Sequence, residues 1–255
     1  MRASVGQRVE ICGVGFDPVT EDDVLQAIAR AVTARTRCVI HTANVDHVMR
    51  GRSDFSFMQI MQKADIVTAD GMPIVWAARL LGTPLPARVT GADLTTRILE
   101  LAAKDGHRVF LFGGRPEVAV AAVSRAKTRW PGLNISFHAP SPAEVLDTPE
   151  DVLACLSRSD IVLVALGSPK QEQWIDRYRG RVETPVMIGV GAAVDFLAGS
   201  LKRAPRFLQA AGLEWAWRLA QEPRRLWRRY LVRDLPFVWL VLCSKIQAMR
   251  KRRII

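Results

Sequence analysis

Motifs that define several common protein classes are missing from this chain. Its four cysteines, Cys12, Cys38, Cys155 and Cys243, are scattered without a CxxC pair or a histidine at ligand spacing. We therefore expect neither a disulfide framework nor a structural zinc site, and a reducing compartment. No GxGxxG fingerprint is complete, because Gly189-Val190-Gly191 is followed by Val194 where the third small residue belongs. A GxxxxGKS/T phosphate loop is absent as well.

Long hydrophobic segments are also absent. The longest strongly apolar run, residues 235–243, has nine residues and contains Pro236, whereas a spanning helix needs about 20 apolar residues. The first 16 residues include no apolar stretch of the signal-peptide kind. We therefore expect neither a transmembrane segment nor a signal peptide.

Negative charge is scarce only near the C-terminus. Residues 1–200 carry 22 Lys and Arg against 22 Asp and Glu, whereas residues 201–255 carry 14 against 3. The whole net charge of +11 therefore lies in the last part of the chain. A neutral body followed by a basic tail points to an anionic partner for the tail.

The body of the sequence alternates short apolar runs with helical patterns of 10–15 residues. The predicted strands are residues 9–14, 38–42, 66–69, 107–112, 135–138, 161–165 and 186–190. This alternation predicts an α/β fold, a doubly wound and mostly parallel sheet of the Rossmann-like kind. We place the α/β domain at residues 1–200 and a basic, Trp- and Arg-rich helical appendage at residues 201–255.

The stretch ADIVTADGMP, residues 64–73, places a carboxylate directly after a predicted strand. Asp70 and Gly71 separate the apolar run 66–69 from a helix with Pro73 in its first turn. Doubly wound sheets bind ligands outside the carboxyl ends of their strands. Asp70 is thus a candidate reactive group, and the alternative is a turn-forming or helix-capping aspartate.

Polar residues and glycines follow the other predicted strands in the same way. Gly113 and Gly114, ahead of a helix starting at Pro116, present backbone amides that suit a phosphate, or simply form a tight turn. Lys170 and Gln171 bring donors to one helix start, which suits a uracil, a sugar hydroxyl or a phosphate, or else is exposed helix surface. The candidates at the strand ends are Thr42, Asn44, Asp70, Gly113, Gly114, Lys170, Gln171 and Gly191.

These residues lie in blocks that resemble the WecG/TagA/CpsF glycosyltransferases. The blocks are TANVDHVM, ADIVTADGMPIVWAARLLG, ARVTGADL, VFLFGG, LVALGSPKQEQWI, GVGAAVDFLAG, RAPRFLQAAGLEWAWRL and QEPRRLWRRYL. They occur in the family's order over roughly residues 9–240. The sequence departs from the commonest family pattern at Ala69, where proline is usual, and at Ala92, where serine is usual. Either change could reflect a different donor sugar.

The resemblance implies an inverting transferase acting on a lipid-linked sugar. The donor would be a UDP-sugar carrying an N-acetylmannosamine-type, uronic or glucosyl unit. The acceptor would be an undecaprenyl-diphosphate-linked saccharide used in cell-surface polysaccharide or teichoic-acid-like synthesis. The protein would then be cytoplasmic and peripheral on the inner face of the cell membrane.

The resemblance also assigns roles to residues. It implies that Asp70 is the general base and that Thr42 and Gln171 belong to the catalytic group. The implied substrate-binding residues are Asn44, Arg88, Gly113, Gly114, Lys170, Gly191, Arg218, Arg224, Arg225 and Arg228.

The chemistry of such a transfer asks for the same residue types independently. One carboxylate must take the proton of the acceptor hydroxyl, and a UDP leaving group needs positive charge from a metal or from arginine. The chain has no Asp-x-Asp pair of the metal-binding kind, whereas its tail is rich in Arg. We therefore predict that arginine supplies the counter-charge and that neither a metal nor a cofactor takes part.

Two other functions are consistent with parts of the sequence. An NAD-dependent nucleotide-sugar-modifying enzyme would use the parallel sheet but needs the missing glycine fingerprint. A non-catalytic membrane-binding module would use the tail but leaves Asp70 without a role. Four tail tryptophans, Trp215, Trp217, Trp227 and Trp239, favour an anionic membrane surface over nucleic acid. The oligomeric state stays open, with a homo-oligomer among the alternatives.

Overall fold

The computed structural model describes residues 6–252, and its strands follow the predicted alternation. In that range the strands are Val9–Ile11 (β1), Val14–Phe16 (β2), Cys38–Ala43 (β3), Ile66–Ala69 (β4), Arg108–Gly113 (β5), Asn134–His138 (β6), Ile161–Ala165 (β7) and Val186–Gly189 (β8). Strands β3 to β8 form one sheet in the order β4-β3-β8-β7-β5-β6, and every neighbouring pair is parallel. The predicted α/β class with a doubly wound parallel sheet is confirmed.

Helices cover both faces of this sheet. They are Glu21–Ala34 (α1), Val45–Ser53 (α2), Phe55–Lys63 (α3), Met72–Leu81 (α4), Gly91–Asp105 (α5), Pro116–Arg129 (α6), Pro142–Leu146 (α7), Glu150–Ser157 (α8), Lys170–Tyr178 (α9), Ala193–Ala198 (α10), Arg206–Ala210 (α11), Glu214–Gln221 (α12), Pro223–Arg228 (α13) and Pro236–Arg252 (α14). A π-helical turn, Arg229–Arg233, joins α13 to the segment before α14. One core packs α1, α5, α6 and α10 against the sheet. The other contains α3, α4, α8, α9 and residues of α14.

Local sequence explains where the helices begin. Thr20 caps α1 with a reciprocal pair of hydrogen bonds: the Asp23 amide donates to the Thr20 hydroxyl, and the Thr20 amide donates to the Asp23 carboxylate. Thr90 caps α5 in a similar way by accepting from the Asp93 amide. Such caps satisfy amides that the first turn of a helix leaves unpaired, and each contributes about 1 kcal/mol. The cap at Thr90 fixes the start of α5 beside the end of β4.

The N-terminal segment differs from the predicted single strand over residues 9–14. Cys12 and Gly13 have φ values of 51° and 94°, so the chain reverses there and β1 pairs with β2 as an antiparallel hairpin. Two central residues with positive φ match the twist of a tight two-residue hairpin. The hairpin forms a two-stranded sheet apart from the parallel one.

Asp17, which follows the hairpin, pairs with the outer edge of β4. Its amide donates to the Val67 carbonyl over 2.9 Å, and its carboxylate accepts from the Val67 amide over 2.7 Å. Arg8 donates to the same carboxylate over 3.0 Å. The hairpin is thereby fastened to the edge of the parallel sheet.

The helices after α10 pack onto the body through apolar contacts and ion pairs. Phe237 and Val241 of α14 are each 4% exposed and belong to the same core as α3 and α4. Burying a side chain of this size contributes about 1.5–3 kcal/mol. The segment therefore packs onto the α/β body, and the proposed domain boundary at residue 200 stays a prediction. No helix within residues 6–252 is long and apolar enough to cross a membrane.

Candidate active site

A cavity of about 1080 Å³ lies at the carboxyl edge of the sheet, between the body and the C-terminal helices. Its inner wall carries residues that follow β3, β4 and β8, including Asn44, Asp70 and Gly191. Residues of α12, the π-helical turn and α14 also line it. The topology thus brings together strand-end residues that are far apart in sequence.

Asp70 lies at the end of β4 and faces this cavity. Its amide donates to the Ala43 carbonyl over 2.8 Å, and its Oδ2 accepts from the Gly91 amide over 3.3 Å. Gly71 has a φ of 131°, which side chains rarely tolerate, so a glycine is required directly after the carboxylate. Burial raises the pKa of Asp70, although the Gly91 hydrogen bond opposes this, and the nearby Glu214 adds to the rise. A carboxyl with a raised pKa is a better proton acceptor than an exposed aspartate.

Thr42 holds two neighbouring segments together at the floor of the cavity. Its hydroxyl donates to the Gly189 carbonyl over 2.9 Å. A Cβ on Gly91 would lie 3.0 Å from that hydroxyl oxygen and 3.1 Å from the Val190 carbonyl oxygen. Glycine at this position therefore lets the start of α5 approach β3 and β8 closely, and a larger side chain would make neighbouring atoms shift.

Gln171 is 3% exposed, and both ends of its amide are engaged within the protein. Its Oε1 accepts from the Gly191 amide over 3.0 Å, and its Nε2 donates to Glu172 Oε1 over 2.7 Å. Gly189 also needs to be glycine, because a Cβ there would lie 2.8 Å from the Gln171 Nε2. Gln171 therefore fixes the turn after β8 as well as lining the cavity.

Glu172 and His47 form a buried polar pair behind Gln171. The Glu172 side chain is inaccessible, and its Oε1 lies 3.1 Å from His47 Nε2. Because a carboxylate only accepts, Nε2 is the donor, and His47 Nδ1 lies 3.0 Å from the Asn44 side-chain oxygen and 3.3 Å from the Asn44 amide nitrogen. Burial alone would raise the pKa of Glu172, but His47 and the Gln171 amide outweigh it and hold that pKa at about 2.

Asn44 connects this buried pair to the C-terminal helices. Its side-chain oxygen accepts from the Asp46 amide over 3.1 Å, which caps α2, and from Arg229 Nη2 over 3.0 Å. Arg233 lies 3.4 Å from the buried carboxylate of Asp46. A continuous chain of hydrogen bonds thus runs from the Gly191 amide to an arginine of the tail.

Arg88 is paired with the tail rather than free in the cavity. Its Nη1 lies 2.7 Å from Glu214 Oε2, and its Nη2 lies 3.6 Å from Asp93. Arg203 bonds to Asp93 and also lies 3.5 Å from Glu214. Two arginines and two carboxylates therefore hold α12 against the start of α5, close to Asp70.

Ten of the predicted site residues line this cavity, and three do not. Gly113 packs inside the sheet, where a Cβ would lie 2.6 Å from the Ala165 backbone, as expected of a tight strand–helix connection. Arg224 and Arg228 are exposed on α13, outside the cavity, with the Arg228 guanidinium 5.3 Å from the Trp227 ring centroid. The residues that line it are Thr42, Asn44, Asp70, Arg88, Gly114, Lys170, Gln171, Gly191, Arg218 and Arg225.

Several cavity residues have no counterpart among the sequence-based candidates. His47 follows Asn44 by three residues, so the capping pattern N-x-x-H was a usable signal for it. Glu172 adjoins Gln171 in the SPKQE segment but carried no signal of its own. The additional residues at or behind the cavity are Asp46, His47, Trp76, Glu172, Glu214, Arg233 and Asp234; Arg229 also lines it and was expected among the tail arginines that could reach the diphosphate. In the described part of the chain, no three His, Cys, Asp or Glu side chains group as they would to hold a metal ion.

The fold and the cavity define a doubly wound α/β protein with a cavity at the carboxyl edge of its parallel sheet, lined in part by a basic helical segment. The family model described as "Glycosyl transferase WecG/TagA/CpsF family" matches residues 9–251. The chain belongs to this glycosyltransferase family.

Curated relatives cover most of this chain. One from Bacillus spizizenii is 36% identical over 194 residues, which are 75% of this chain and 74% of the relative. Another from Staphylococcus aureus is 32% identical over 251 residues, which are 96% of each chain. Both relatives are named N-acetylglucosaminyldiphosphoundecaprenol N-acetyl-beta-D-mannosaminyltransferase.

Proposed function

We propose that this protein is an inverting glycosyltransferase that moves a sugar from a UDP-sugar onto an undecaprenyl-diphosphate-linked saccharide. The transferred unit is of the N-acetylmannosamine, uronic or glucosyl type, and the product serves cell-surface polysaccharide or teichoic-acid-like synthesis. The observation that carries the proposal is Asp70, a carboxylate with a raised pKa in a cavity that also contains tail arginines. The names of the relatives support the acceptor class and the sugar type.

In this proposal Asp70 is the general base. The acceptor hydroxyl oxygen attacks the anomeric carbon, the bond from that carbon to the UDP oxygen breaks, and the hydroxyl proton passes to the Asp70 carboxylate. The Gly91 amide, 3.3 Å from Oδ2, orients the carboxylate. A positioned base of this kind is worth about 10²–10⁴ in rate.

Inversion follows from an attack on the face opposite the leaving group. The relatives' names specify a β-linked product. Transfer from an α-linked nucleotide sugar to a β-linked product inverts the anomeric carbon, and a single carboxylate suffices for this. No covalent intermediate on a second carboxylate is needed.

Arginines of the tail neutralise the diphosphate that leaves. Arg218, Arg225 and Arg229 line the same cavity as Asp70. A guanidinium is charged at any physiological pH and can bind a phosphate with two parallel hydrogen bonds. These side chains can therefore stabilise the UDP leaving group without a metal ion.

Gln171, Glu172 and His47 act by positioning in this scheme. Both the oxygen and the nitrogen of the Gln171 amide already form hydrogen bonds within the protein, to Gly191 and to Glu172. Gln171 therefore shapes the floor of the donor site through the Gly191 turn. Thr42 has the same role at the neighbouring strand, because its hydroxyl is engaged with Gly189.

The tail also brings the protein to an anionic membrane surface, where its lipid-linked substrate resides. Large apolar side chains stand exposed next to the arginines, with Trp239 69% and Trp227 44% exposed. Lys and Arg near an anionic surface contribute about 1 kcal/mol each. These features support a peripheral membrane location, which we propose to be the inner face of the cell membrane.

One assay tests the proposal. The purified protein is offered a panel of UDP-sugars with a lipid-diphosphate-linked N-acetylglucosamine acceptor, and UDP release and product anomer are measured with and without EDTA. We expect release that depends on the acceptor, a β-linked product and activity that survives EDTA. Absence of UDP release with every donor would refute the transferase, and an α-linked product would refute inversion.

A further inference from the structure

The cavity that holds Asp70 continues into an apolar groove between α4 and α14. We call it the α4–α14 groove, and its walls are Trp76 and Leu80 on one side and Leu235, Val238 and Leu242 on the other. These five side chains are between 42% and 61% exposed. The chemistry of sugar transfer gives them no role.

The floor and one wall of the groove are fixed by packing. Ala77, Phe237 and Val241 below it are each 4% exposed. Trp76 is held in place by the turn before α12, since a Cβ on Gly212 would lie 2.4 Å from the Trp76 ring. The groove therefore has a defined shape before any ligand binds. Contiguous exposed apolar surface of this kind marks a binding site.

We propose that the α4–α14 groove binds the first isoprene units of the polyprenyl-diphosphate acceptor. This inference rests on the proposed function. The groove shares one cavity with Asp70 and with Arg218 and Arg225. A ligand with a sugar and a diphosphate at one end and a hydrocarbon chain at the other matches this change from polar to apolar lining.

Continuity with the reaction site favours an isoprenoid chain over other apolar occupants. A chain in the groove that is covalently joined to the diphosphate would hold the acceptor sugar beside Asp70. A phospholipid tail in the groove would have no such connection to the transfer. The groove therefore serves to position the acceptor, and the exposed surface of α14 outside it contacts the membrane.

Neighbouring residues on α14 separate these two roles. Val238 lines the cavity, whereas Trp239 is 69% exposed and does not line it. A substitution at Val238 should affect binding of the chain, and one at Trp239 should affect binding to a membrane. Because both positions are exposed, we expect Val238→Gln and Trp239→Gln to keep the fold.

The test uses prenyl diphosphates of one to four isoprene units, titrated by calorimetry into the full-length protein without vesicles. Affinity should rise by about tenfold for each of the first two or three units, because even one buried methylene is worth about fourfold. Val238→Gln should weaken this dependence at least tenfold at three units. Trp239→Gln should leave it unchanged while reducing pelleting with vesicles that contain anionic phospholipid.

Three results would overturn the assignment: equal affinity at all chain lengths, an equal loss in both variants, or equally tight binding of a straight-chain alkyl diphosphate. The last result would make the groove a general lipid site. Failure of the proposed function gives a different outcome, in which binding still depends on prenyl length but no sugar is transferred to a lipid-linked acceptor.

Discussion

At the scale of single residues, the reaction depends on whether Asp70 can take a proton. Asp70→Asn should lower kcat by about 10²–10⁴ and leave UDP-sugar binding nearly unchanged. The fold should persist because the asparagine oxygen can still accept from the Gly91 amide. Stopped assays of UDP release and calorimetry with the donor measure the two effects.

Asp195 provides a matched control, since it is another aspartate that lines the cavity. Asp195→Asn should keep most of the activity. The pH profile gives a second check: Asp70 must be ionised to act, and its pKa is raised. Activity should therefore fall as the pH drops through a value above that of an ordinary aspartate. Near-normal turnover in folded Asp70→Asn would remove Asp70 from the base role.

Glu172 offers a residue-scale prediction about positioning. Glu172→Gln keeps the shape of the side chain but removes the charge that accepts from Gln171 and His47. Loss of such charge-assisted bonds costs about 1.5–3 kcal/mol. We expect a lower melting temperature and a fall in kcat/KM of about tenfold.

The control for Glu172 is Gln173→Ala on the exposed side of the same helix. It should change neither quantity. If Glu172→Gln lowered the melting temperature but kept full kcat/KM, the buried pair would stabilise only the fold. It would then have no effect on the floor of the cavity.

At the scale of elements, α13 presents neighbouring arginines in different surroundings. Both are exposed, but Arg225 lines the cavity and bonds to Glu222 over 2.7 Å, whereas Arg224 lies outside the cavity. Arg225→Gln should reduce kcat/KM for the donor by tenfold or more, because it removes charge near the leaving group. Arg224→Gln should instead reduce vesicle binding, by about 1 kcal/mol at low salt. Equal effects of both changes on turnover with a water-soluble acceptor would contradict this division.

The π-helical turn makes a pH-dependent contact. Burial raises the pKa of Asp234 to about 6, Arg229 and Arg233 oppose the rise, Asp46 adds to it, and His47 opposes it weakly. A carboxyl whose folded pKa lies above its unfolded value stabilises the fold fully below that unfolded value, and this contribution is lost as the pH rises through about 6. Asp234→Asn, which cannot ionise, should therefore raise the melting temperature at pH 7.5 more than at pH 4.5. Equal shifts at both values would show that ionisation of Asp234 is not involved.

The elements of the sheet were predictable, whereas contacts between helices were not. All four residues of β8, Val186–Gly189, are buried, and such a strand appears in the sequence as a continuous run without polar side chains. The hairpin was missed because its turn uses Cys12 at a φ of 51°, without an Asn-Gly or Asp-Gly signal. Strand-end residues such as Asp70 were found because parallel topology brings all carboxyl ends to one edge.

The rest of the site comes from packing between distant segments. His47 and Glu172 are separated by 125 positions, and no local pattern specifies their contact. The tail arginines could not be ranked from sequence either. In the π-helical turn the Asp234 amide donates to the Arg229 carbonyl, and this i to i+5 spacing changes which side chains face inward. Arg229 thus reaches Asn44, while Arg228 stays outside.

At the scale of the whole molecule, the body and the tail can be separated by deleting residues 201–255. All the strands of the described range and their crossover helices lie before that point, so the parallel sheet should persist in circular dichroism. The melting temperature should fall, because Phe237 and Val241 no longer cover the core. Vesicle binding and turnover should both be lost.

Salt separates these two losses in the full-length protein. At moderate salt, interactions between exposed charges are largely screened beyond about 8–10 Å, and higher ionic strength shortens this distance, so it should release the protein from vesicles. It should weaken turnover with a water-soluble acceptor much less. Full turnover by the truncated protein with that acceptor would show that the tail is only an anchor.

The attachment of Asp17 to β4 has a consequence for the protein in concentrated solution. β4 is the outermost strand of the parallel sheet, and an outermost strand offers unpaired backbone groups to any other extended chain. Asp17 occupies both the amide and the carbonyl of Val67 at the centre of that strand. Asp17 therefore keeps this edge strand from pairing with other chains. We expect a variant that lacks its carboxylate to aggregate before it loses sugar transfer.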